Sequence, residues 1–72
     1  MDPDACWKEL KESYSRGEWD RVLELAEALL GWLDRGGFPP DTGEPQPLGE
    51  DWRRAISRAA AEFARERARA LV

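Results

Sequence analysis

Between residues 36 and 49 the chain reads GGFPPDTGEPQPLG, and this segment limits what the other residues can build. Each proline locks φ, lacks an N–H and pushes the residue before it toward extended geometry, so no helix or sheet interior can run through the stretch. Its four prolines never fall at PxxP spacing, which argues against a ligand for proline-binding domains. The spacing predicts an extended crossover with Phe38 and Leu48 as apolar anchors at its ends. At ~3.1 Å per residue it could span roughly 30 Å, enough to run back along whatever precedes it.

The chain before the crossover reads as two helices. Asp2 can cap the first and Pro3 fits its first position, where a missing N–H costs nothing. Cys6, Trp7, Leu10 and Tyr14 follow at steps of three and four on one face. Gly17 is the natural stop, giving a helix over about 3–16. The second helix covers about 18–35, with Val22, Leu25, Ala26, Leu29 and Leu33 as its core stripe. So short a turn makes the two an antiparallel hairpin. Gly31 costs this helix ~1 kcal/mol relative to alanine, and either a close helix approach or plain tolerance accounts for it. After the crossover a third helix is expected over about 50–71. Trp52, Ile56, Ala59 and Phe63 recur at four, three and four and are read as its buried stripe. No alternating pattern survives anywhere, so the expected class is all-α: a hairpin plus a third helix after a proline-rich crossover, one domain over 1–72.

A chain of 72 residues supplies only ~3–5 kcal/mol from a single core. The usual supports are missing. One cysteine, Cys6, allows no internal disulfide, and the absence of histidine leaves no ordinary zinc site or neutral-pH general base. Four tryptophans, two phenylalanines and one tyrosine argue for a real fold; either all of them are core or some form an exposed patch for another chain. The second helix carries more apolar residues than one neighbour covers. The expected uncovered strip is Leu23, Leu30 and Trp32 with Phe38 at its edge, an interaction surface for a second copy of the chain or a larger complex.

The net charge is −4, divided into −6 over residues 1–49 and +2 over residues 50–72. An acidic hairpin and a basic last helix can attract each other within a chain or between chains. The acidity disfavours general binding to nucleic acid or membranes. The alternative reading uses Arg53, Arg54, Arg58, Arg65, Arg67 and Arg69 for nucleic acid, though helical spacing scatters them around the axis. Carboxylate pairs such as Glu24 and Glu27 read as a solvated face. No glycine pattern cradles a phosphate. No catalytic activity, metal, cofactor or small-molecule substrate is expected, and Cys6 reads as a small buried hydrophobe. No apolar run is long enough to span a membrane, and the acidic start lacks a signal-peptide layout, so the expected location is the cytoplasm. The excess of arginine and alanine over lysine and isoleucine hints at a GC-rich bacterial genome.

The hairpin also resembles one tetratricopeptide-type repeat over about residues 4–33. Trp7, Leu10 and Tyr14 match the family's first-helix residues, Gly17, Glu18 and Trp19 its turn, and Val22, Ala26 and Leu29 its second-helix packing positions. Lys11, Val22 and Leu29 stand where the family has small residues, and the turn is one residue short. The family stacks about three such repeats, and one copy is present here. The resemblance implies a helical-hairpin packing mode and protein recognition.

Overall fold

The computed structural model describes residues 1–72 as three helices without strands: α1 (Pro3–Arg16), α2 (Trp19–Asp34) and α3 (Glu50–Leu71). Local chemistry sets the boundaries. The Asp2 carboxylate accepts from the N–H groups of Asp4 (3.0 Å) and Ala5 (3.2 Å), satisfying two donors that the first turn leaves free. At the other end Gly17 takes φ +71°, a conformation that L side chains resist. Its N–H reaches Tyr14 O, and Glu18 N–H reaches Ser13 O, a paired closure that ends α1 and starts the hairpin. The same closure ends α2, with Gly36 N–H on Leu33 O and Gly37 N–H on Trp32 O.

α2 packs against both α1 and α3. Val22, Ala26 and Leu29 lose all contact with water, and Leu25, Leu30 and Leu33 nearly all. From α1 come Cys6, Trp7 and Leu10, as the hairpin pattern requires. From α3 come Ala61, Ala64 and Ala68, with Ser57 fully buried at the head of the row. Ser57 returns its hydroxyl proton to Arg53 O at 2.7 Å, so a polar group sits in the contact at little cost.

This reverses the expected facing of α3. Trp52, Ile56, Ala59 and Phe63 point outward, with Trp52 46 % and Phe63 61 % exposed. Both rows repeat at steps of three and four, so periodicity cannot choose between them. Volume does: α2 already offers Leu25, Leu29, Leu30 and Leu33, and against so bulky a surface small residues let the two backbones come close.

The crossover differs from expectation in two ways. Its apolar anchors are Pro39 and Pro40, which are buried, whereas Phe38 (64 %) and Leu48 (47 %) are exposed. Asp41 N–H donates to Asp4 Oδ1 at 2.7 Å, which holds the segment against the start of α1. Nor does it run back along the hairpin. Arg54 Nη1 donates to Leu33 O at 3.3 Å and Arg58 pairs with Asp34 at 2.7 Å, so α3 starts where α2 stops and runs antiparallel to it. The crossover spans only the end of the bundle.

A Cβ at Gly31 would meet nothing but the flexible tip of Arg35 at 3.3 Å, so no other helix requires that glycine. A Cβ at Gly37 would lie 2.2 Å from the Trp32 ring. Gly31→Ala should therefore stabilise the fold by up to ~1 kcal/mol, and Gly37→Ala should destabilise it. Ala61→Leu should cost ~1–3 kcal/mol by overpacking, while Phe63→Ser should change stability by only about 0.5 kcal/mol. Chemical denaturation of the four variants checks the assignment of the two faces of α3.

Candidate interaction surface

Most of the strip expected on α2 is covered. Leu30 is buried, and Leu23 is partly buried against the core. Trp32 is half-covered: its ring lies on Gly37, its indole N–H donates to Phe38 O at 2.8 Å, and it makes a T-shaped contact with the Phe38 ring, centroids 6.2 Å apart. Of the four residues only Phe38 stands clear, and it is already engaged with Trp32. The small-residue face of α3 and the folded-back glycine turn together cover the strip.

The open apolar surface lies between α1 and α3 instead. The two helices flank a groove of about 240 Å³, walled by Trp7, Leu10 and Tyr14 on one side and Ala60, Phe63 and Ala64 on the other. Tyr14 closes one end, with Phe63 tilted across it at 6.2 Å and Trp19 edge-on at 5.2 Å. Trp52 and Ile56 continue the Phe63 line along α3. The Trp7 indole N–H has no acceptor within the chain. Lys11 lies over the same ring at 5.4 Å, the one charged side chain lining the groove. Apart from Lys11 and the Tyr14 hydroxyl, the lining of the groove is apolar.

The arginines of α3 are mostly committed to the fold. Arg54 holds Leu33 O and Glu50, Arg58 holds Asp34, and Arg69 bridges Glu66 (3.3 Å) and Glu27 (3.5 Å). Arg65 lies 3.7 Å from Glu66. Within one chain, the attraction between the acidic hairpin and the basic helix thus appears as α2–α3 bridges. Arg53 and Arg67 carry no ion pair. Contrary to the expected scatter, the helical period puts Arg54, Arg58, Arg65 and Arg69 on one face of α3, with Arg53 and Arg67 apart from them. No three His, Cys, Asp or Glu side chains come together as metal ligands, and no helix is long and apolar enough to cross a membrane.

Near the crossover, Glu44 accepts from the Thr42 hydroxyl and from Trp52 Nε1 (3.1 Å). These hydrogen bonds, Thr42 first, hold its carboxyl below the usual range. They also tether Trp52 at the head of α3.

Cys6 is buried, and its thiol points to Leu25 O at 3.6 Å. Burial first, then the charge of Glu9, push its pKa above the ordinary value, against a smaller opposing pull from Arg21. The folded chain holds this proton more tightly than the unfolded chain. The associated stability is complete below the unfolded thiol pKa and falls away as pH rises through and above it.

Sequence reasoning missed Ile56 and Phe63 as surface residues because it assigned the bulkier row of α3 inward. The usable signal was the second row, Ser57, Ala61, Ala64 and Ala68, at equally regular spacing. Comparison with protein-family models, with curated proteins and with solved structures yields no match.

With its thiol protonated and covered, native Cys6 should react with a thiol reagent at pH 7.5 at least ~100-fold more slowly than free cysteine. Reaction at the free-cysteine rate, timed by absorbance, would show that the thiol is accessible.

Proposed function

We propose that the chain is a small protein–protein interaction or assembly module, without catalytic activity of its own, that works through the groove between α1 and α3. The observation that carries this reading is the pairing of an apolar groove with exposed Phe63 and Ile56 beside it on a body of only 72 residues. Isolated exposed apolar residues are ordinary, but a continuous line of them beside a groove marks an association site. The resemblance of residues 4–33 to a tetratricopeptide-type hairpin points to the same class of task, protein recognition. Self-association or membership of a larger complex, in the cytoplasm, fits this reading.

Nucleic-acid binding is the weaker reading. Phosphate contact needs cations free to reach outward, and Arg54, Arg58, Arg65 and Arg69 have carboxylates beside them.

The test is retention of protein partners from the source cell by wild type and by Ile56→Glu/Phe63→Glu. Both positions are exposed, so the variant should keep its helical spectrum. Whatever wild type retains, its own copies or another protein, should be lost. Equal retention by the two chains would remove the groove from the function.

A further inference from the structure

We propose that Glu44 is an acid-sensitive latch: its carboxylate clips the crossover to the head of α3, and protonation frees Trp52 and the first turn of that helix while the bundle stays folded. Such a latch works whatever the α1–α3 face binds. The head of α3 has little else to hold it. The first buried residue of the helix is Ser57, two turns in. Gly49 gives the helix start no side-chain cap, and Trp52 is nearly half exposed. Arg54 ties the second turn to Leu33 O at 3.3 Å, so the chain between Glu44 and Arg54 lies beyond that anchor. One side-chain hydrogen bond joins the crossover to α3, from Trp52 Nε1 to Glu44 Oε1 at 3.1 Å.

Both oxygens of this carboxylate are engaged: Oε1 takes the indole N–H and Oε2 takes the Thr42 hydroxyl. Arg53 of α3 and Asp41 of the crossover line the same small cavity, and the Arg53 charge favours the ionised carboxylate. Asp41 is turned to Gly43 N–H at 2.9 Å, Glu50 in the first turn of α3 is turned to Arg54, and Asp51 in the same turn is exposed. A hydrogen bond to an ionised acceptor is roughly twice as strong as one to a neutral acceptor, so proton uptake weakens both bonds. The Thr42 hydroxyl can turn round and accept, but an indole N–H only donates. The bond to Trp52 is therefore the one that opens. The hydrogen bond from Thr42 first, then that from Trp52, hold the Glu44 carboxyl below its ordinary value against a smaller opposing effect of burial. The latch is thus complete above the unfolded glutamate pKa and is lost as pH falls through the lower folded one.

Proton magnetic resonance of three chains tests this: wild type, Glu44→Gln and Trp52→Phe. The last identifies the Trp52 indole N–H resonance by its loss. In wild type that resonance should move upfield as pH falls from about 6 to about 3, with a midpoint below the ordinary glutamate range, while circular dichroism still shows the helices. In Glu44→Gln, whose neutral side chain imitates the protonated acid, it should lie upfield from the start and stay fixed. At about pH 6 the amide N–H groups of Arg53 and Arg54 should exchange at least ~3-fold faster in Glu44→Gln than in wild type, because the first turn opens more often. An indole resonance that stays fixed in wild type, that moves equally in Glu44→Gln, or that moves only as the helices melt overturns the latch. So does equal amide exchange in the two chains.

Discussion

The fold depends on the contact between α2 and α3, and side chains of little bulk make that contact. Ser57, Ala61, Ala64 and Ala68 present almost no volume of their own, yet they seal one flank of Val22, Ala26, Leu29 and Leu33. The apolar area removed from water belongs mostly to α2. Because the alanines bring the helices close, polar groups of α3 reach α2 as well: Arg54 to Leu33 O, Arg58 to Asp34 and Arg69 to Glu27. Exposed pairs of this kind each stabilise by at most ~1 kcal/mol. Their larger effect is to fix direction and register, since a one-turn slip of α3 would break all three together.

The inward row of alanines has a direct consequence on the opposite side. A helix that turns its small residues to the core must place its large ones elsewhere, and in α3 they are Trp52, Ile56 and Phe63. Part of that cost is met within the chain. Trp52 hydrogen-bonds Glu44, and Phe63 leans on Tyr14. The remainder lines the α1–α3 face. The glycine turn at the other end of α2 does the opposite, folding Trp32 and Phe38 onto each other and removing them as a free surface.

The sequence determined element boundaries well because they rest on local chemistry. Asp2 with Pro3, Gly17, and Gly36 with Gly37 each act within four or five residues, so their caps are readable without knowing the fold. The hairpin core was readable for a similar reason, since a short turn leaves Trp7 and Leu10 no partner but α2. The facing of α3 was not readable. Two rows of equal period compete there, and the choice depends on how much volume α2 already brings, which is a tertiary quantity. The same limit explains the crossover. Phe38 and Leu48 are the more hydrophobic residues, but Pro39 and Pro40 are the ones that reach the start of α1, where Asp4 takes Asp41 N–H. The candidate surface moved from α2 to α1 and α3 through the reversed facing of α3 together with the glycine turn that folds Trp32 and Phe38 onto each other.

Size ties these points together. A body this small has no disulfide and a twelve-residue core, so every large aromatic left outside is a substantial part of its apolar inventory. If α3 faced its bulky row inward, it would stand off from α2, lose the arginine bridges and leave gaps between Leu25, Leu29 and Leu33. The observed facing gains tight packing for the single chain and leaves an apolar line on the outside. That line is tolerable for a monomer kept at low concentration and useful for one that associates.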